Sequence, residues 1–126
     1  MNVAFCIVEN IVWVRFSGHI DALDLIQLSA DDNYLESLRK YRRVIFDYSQ
    51  ATSVNMGFEE IRQLSTITRV ECNFTEHLHG AIVPLDDAGW IRAKRYAETV
   101  KPYGWEMVIV DSTEQAFEHL GARIPG

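Results

Sequence analysis

Asp47, Ser49, Thr52, Ser53 and Asn55 stand close together behind the apolar run Val44-Ile45-Phe46. An acid at the carboxyl end of a buried strand can move a proton in catalysis. It can equally accept hydrogen bonds from the amides of residues 49–53 and fix the shape of the segment that follows. The second role fits Asp47 better, because no nucleophile stands beside a base and no Gly-x-Ser-x-Gly elbow is present. His77 and His79 are two apart, so in a strand they share a face. With Glu76 or a distant carboxylate they could ligate a metal, but two ligands of four are an incomplete set. Cys6 lies within an apolar run, which favours an inert thiol, and Cys72 has no Cys or His at ligand spacing. No glycine-rich phosphate loop occurs. These residues imply no metal and no cofactor, and an enzyme using Asp47 with His77 and His79 is the weakest of three functional readings.

Positioning these groups takes an alternation of strands and helices. Residues 3–9 and 11–17 read as an antiparallel hairpin turning at Glu9-Asn10. Val12, Val14 and Phe16 share one face of the second strand, with Trp13 and Arg15 on the other, and Gly18 ends that strand. Asp21 caps a helix, with Asp24 three residues later to answer it. Ile20, Leu23, Ile26 and Ala30 form its stripe, widened by Leu25 and Leu28. The pattern weakens at residues 29–33 and resumes at Tyr34, Leu35 and Leu38, which predicts a broken helix or two short ones. The basic run 39–43 reads as a solvated helix end. Val44–Phe46 suits a central parallel strand, followed by a polar loop over 48–56. Asn55 caps the next helix, whose stripe is Phe58, Ile61, Leu64 and Thr68.

A strand over 77–84 closes at Pro84, and Asp86 caps a helix over 87–100 with Trp90, Ala93, Ala97 and Val100 inward. Residues 105–111 form the last strand. Ser112 and Gln115 make a capping box for a final helix that stops at Gly121. The order is β-β-α-β-α-β-α-β-α: a mostly parallel central sheet opened by an antiparallel hairpin, in a single domain over residues 1–126.

The totals agree. The 126 residues are 48% hydrophobic and 24% charged, ordinary for one globular domain, and the net charge of −6 argues against nucleic acid. No apolar run is long enough for membrane insertion. Met1-Asn2 leads straight into strand-like residues with no basic n-region, so the expected location is cytoplasmic.

The run from Val44 to Asn55 resembles the strand, Asp, hydrophobic, Ser, loop signature of the STAS domains, the sulfate-transporter and anti-sigma-factor-antagonist family. Ser17-Gly18-His19-Ile20-Asp21 resembles that family's turn after its second strand. The element order matches along nearly the whole chain, and the nearer likeness is to the stand-alone SpoIIAA-like branch, itself similar to the lipid-binding Sec14 fold. The resemblance implies a non-enzymatic regulatory or binding module. The family's switch carries Asp-Ser-Ser-Gly at a helix start, where a serine is phosphorylated. This chain has Asn55-Met56-Gly57-Phe58 there, with no hydroxyl to modify.

The leading expectation is therefore recognition of a protein partner by loop 48–56 and the following helix, through Ser49, Thr52, Ser53, Asn55, Met56, Gly57 and Phe58, with Asp47 organising the loop. Met56 and Phe58 would be its apolar anchors. The alternative is a carrier or sensor of a small apolar or lipid ligand. It rests on the Sec14 likeness, on the aromatics Trp13, Tyr34, Trp90, Tyr96, Tyr103 and Trp105, and on Arg92, Lys94 and Arg95, which could meet an anionic headgroup. Monomer and homodimer are both compatible with the sequence.

Overall fold

The structure is a computed structural model that describes residues 2–55, 62, 63, 66, 67, 69–71 and 75–121. Strands β1 (Val3–Val8) and β2 (Ile11–Asp21) form the expected hairpin, with Glu9 and Asn10 both at positive φ in its tight turn. Helices α1 (Ala22–Ser29) and α2 (Asp32–Tyr41) follow, then β3 (Arg43–Asn55). Residues 62, 63, 66, 67 and 69–71 are helical. The chain continues through β4 (Leu78–Val83), α3 (Asp87–Val100), a 3-10 turn (Lys101–Tyr103), β5 (Trp105–Ile109) and α4 (Thr113–His119).

The five strands lie side by side in chain order. Only β1 and β2 are antiparallel; β2 through β5 are parallel. Successive parallel crossovers of one hand that step in one direction place their helices on one face of the sheet. Leu25 and Leu28 of α1, Tyr34 and Leu38 of α2, and Val100 of α3 accordingly share one core with Val12, Val14, Phe16 and Val44. On the other face Ala116 and Phe117 of α4, with Leu120 capping its end, pack on Ile11, Ile45, Ala81 and Val83. Trp13 meets Phe117 edge-on there, with ring centroids 5.2 Å apart. No helix among the described residues is long and apolar enough to cross a membrane.

Several expectations need correction. Residues 48–55 are not a loop. They continue β3, because β2 also runs on past Gly18 and supplies a partner: Ser17 faces Gln50, Ile20 faces Val54 and Asp21 faces Asn55. Gly18, at φ +70°, sits at a register shift and lets β2 kink rather than end. The polar residues that resemble a loop are the exposed positions of this extension, while Ala51 is buried. In α1 the Asp21–Asp24 capping box sets the helix phase and turns Leu23 out to 59% exposure, and Leu25 and Leu28 face inward instead. In α3, Ala93 and Val100 are buried as expected, but Trp90 is exposed. Gly89 takes the inward place where the helix passes close to Pro84. The helix stripe at Phe58, Ile61, Leu64 and Thr68, the anchors Met56, Gly57 and Phe58, and Cys72 lie outside the described residues.

Arg43 is also no solvated helix end. Its guanidinium donates to the carbonyls of Leu120 and Glu9, each at 2.7 Å, and ties α4 to the hairpin turn. Arg42, one residue earlier, caps α2 in the left-handed conformation at φ 55°.

Candidate functional site

Strand alternation decides which side each candidate residue serves. Ile45 and Asp47 point to the α4 face, and Val44, Phe46 and Tyr48 to the face covered by α1–α3. Asp47, 2% exposed, is saturated on its side. Its Oδ2 accepts from Trp13 Nε1 at 3.1 Å and from Thr113 Oγ1 at 2.8 Å, and its Oδ1 accepts from the Ser49 amide at 2.9 Å. The carboxylate thus joins β2, β3 and α4. It organises Ser49 as expected, but its other two donors come from distant elements.

The histidines do not complete a catalytic group with it. In the ladder Asp47 faces Val83 and Arg43 faces His79, so the two positions are four residues apart, roughly 13 Å at about 3.3 Å per residue. His79 Nδ1 instead meets the exposed Glu106 carboxylate at 3.3 Å. His77 precedes the strand at φ 57°, which breaks the shared-face arrangement. No group of three His, Cys, Asp or Glu among the described residues is placed to hold a metal ion. Ser49, Thr52, Ser53 and Asn55 are exposed along the end of β3, where the Ser53 hydroxyl hydrogen-bonds His19 Nδ1 of β2.

The cavity lies on the opposite face, between α1, α3 and the carboxyl ends of β3 and β4. Its volume is about 220 Å³. The floor is Phe46, Tyr48 and Val54 of β3 with Ile82 of β4. Leu25, Leu28 and Ser29 of α1 form one wall, and Tyr34 of α2 closes the inner end. The small residues Gly89 and Ala93 keep the α3 wall thin, and Arg92, Arg95 and Tyr96 stand beside them. Phe16 stacks on Tyr48 at 4.1 Å, and Phe46 meets Tyr96 edge-on at 6.1 Å, so the aromatic walls are braced from behind and across.

Charged groups of both signs face this apolar space. Glu71, 9% exposed, accepts a hydrogen bond from Ser29 Oγ at 2.7 Å. Its backbone is held in turn: the Thr75 amide donates to the Glu71 carbonyl at 2.8 Å, and the fully buried Trp105 donates from Nε1 to the Thr75 carbonyl at 2.7 Å. Burial pushes the Glu71 carboxyl up to about 7, against the opposing pull of the Ser29 hydrogen bond. Burial also raises the Tyr34 phenol, with Glu71 adding to the rise. The Tyr48 phenol is raised by burial and opposed by Arg92. The cavity therefore has an acidic pole at Glu71, Ser29 and Tyr34 and a basic pole at Arg92 and Tyr48.

Of the three basic residues expected at a headgroup, Arg92 and Arg95 line the cavity. Lys94 lies instead over the exposed Trp90 ring, 5.9 Å from its centroid. Glu71 and Ser29 were not singled out in the sequence. The signal for Glu71 was present: the stripe Phe58, Ile61, Leu64, Thr68 continues at helical spacing to residue 71.

The chain matches no protein-family model, and no curated protein matches it.

Proposed function

We propose that the protein is a non-enzymatic binding module whose ligand is a small amphiphile with an apolar body and an anionic head. One observation carries this reading: a mostly apolar cavity of about 220 Å³ with Arg92 and Arg95 in its wall. Cavities near 150 Å³ already accept a benzene ring, so the space suits an organic molecule rather than a few waters. A few placed polar groups in an apolar hollow are the usual make-up of such sites. The head pairs with Arg92, and the body lies along Phe46, Tyr48 and Tyr96. The fold is read as STAS-like on the residues from Val44 to Asn55 and on the sequential order of the strands.

Native mass spectrometry of the protein, purified gently from its own cells, tests this. The expected result is an adduct of a few hundred daltons that organic solvent extracts. A bare chain that also binds no alkyl carboxylate in solution ends the ligand reading.

A second reading, capture of a protein partner, draws on the exposure of Ser49, Thr52, Ser53 and Asn55 at the end of β3. Met56→Glu tests it: partner capture is lost while the fold persists, and undiminished capture rules this surface out.

A further inference from the structure

A second hollow, also of about 220 Å³, lies next to the cavity and is lined by Leu35, Ile67 and Val70 together with Ser29 and Glu71. Among the described residues, Ser29 and Glu71 alone line both spaces. Their side chains are joined by the 2.7 Å hydrogen bond from Ser29 Oγ to Glu71 Oε1. The two hollows therefore meet at a hydrogen-bonded pair of side chains, one from α1 and one from the helical residues 69–71.

We propose that the Ser29–Glu71 pair is the partition that limits how long an apolar tail the site accepts. The inference rests on the ligand reading above. With the head at Arg92, the tail runs toward Tyr34 and meets this pair at the far end. The hydrogen bond supplies one Glu71 oxygen with a donor and holds the two side chains together. Behind it the Leu35, Ile67 and Val70 side chains offer apolar surface that a longer tail would reach if the pair parted.

The test is a ladder of straight-chain carboxylates from hexanoate to hexadecanoate, with dissociation constants measured by calorimetry. In the unaltered protein affinity rises about fourfold for each buried methylene. It then stops rising at a definite length. Glu71→Ala removes the partition, and the rise continues through several further methylenes. Glu71→Gln keeps the shape and the Ser29 hydrogen bond, and holds the original limit. Ser29→Gly opens the partition from the α1 side and gives a second route if Glu71→Ala does not fold. Leu35→Trp in the Glu71→Ala background narrows the second hollow and brings the limit back to a shorter chain. An unchanged limit in both opened variants, with binding intact, overturns the partition alone. Absence of binding by the unaltered protein for every member of the ladder overturns the ligand reading and this inference with it.

Discussion

Ser29 donates a hydrogen bond to Glu71 across 42 residues of sequence, at 2.7 Å, in the wall of an apolar cavity. The contact joins α1 to the segment that Trp105 and Thr75 fasten to the rest of the fold. A carboxyl in such a place has consequences that can be measured.

The first concerns pH. Burial raises the Glu71 carboxyl from 4.5 to about 7 on folding. Below the lower value both the folded and unfolded chains hold the proton, and the favourable contribution is complete. As pH rises, the unfolded chain releases its proton first, so stability falls through this window and the contribution is gone above about 7. The shift corresponds to about 3 kcal/mol. The Ser29 hydroxyl and the raised Tyr34 phenol beside it stay neutral throughout. Glu71→Gln should remove this loss. Urea midpoints near pH 5 and pH 8 should separate less for the variant than for the unaltered protein, and equal separations would contradict the assignment.

Asp47→Ala leaves the Trp13 indole, the Thr113 hydroxyl and the Ser49 amide without their acceptor. Each such loss costs about 1–3 kcal/mol when the group is buried. These donors are only partly buried, so the expected total is about 2–4 kcal/mol, read from urea unfolding. Because Asp47 faces away from the cavity, affinity for an alkyl carboxylate should stay within about twofold, a difference of less than 1 kcal/mol.

Neighbouring arginines should respond oppositely. Arg43→Ala removes both carbonyl contacts and should cost about 2 kcal/mol. Arg42→Gly places the residue suited to the left-handed cap at φ 55° and should gain up to about 1 kcal/mol. Chemical unfolding of the two variants checks both signs.

Arg92→Ala should weaken binding of an alkyl carboxylate by about ten- to a hundredfold, the usual range for a charge-assisted hydrogen bond. Lys94→Ala should change it little, since Lys94 lies over Trp90 outside the cavity. Equal losses in the two variants would point to general surface charge in place of a contact at the basic pole.

The architecture was largely open to sequence reasoning because it depends on local chemistry. Glu9-Asn10 marks the turn, Asp21, Asp86 and Ser112 cap their helices, and the apolar run at Val44 marks a covered strand. The extension of β3 was hidden because Ser49–Asn55 carries loop-like side chains, and strand pairing there depends on an equally long β2. The cavity was hidden for another reason. It arises where Leu25 and Leu28, rather than Leu23, line the same space as Gly89 and Ala93 over one face of the sheet, and the phase of both helices is settled only by their caps and close contacts. Glu71 was legible in principle from the helical stripe, but an acid on such a stripe gains meaning only when Ser29 is seen opposite it.

The strands stand in the sheet in the order in which they occur in the chain. Every pairing is thus between consecutive strands, although the three parallel ones each wait on a crossover to close. The hairpin can serve as a template onto which β3, β4 and β5 add in turn. The cavity needs α3, which follows β4, so it is complete only when most of the sheet already exists. A nascent chain would then acquire its stable scaffold before this hollow takes shape.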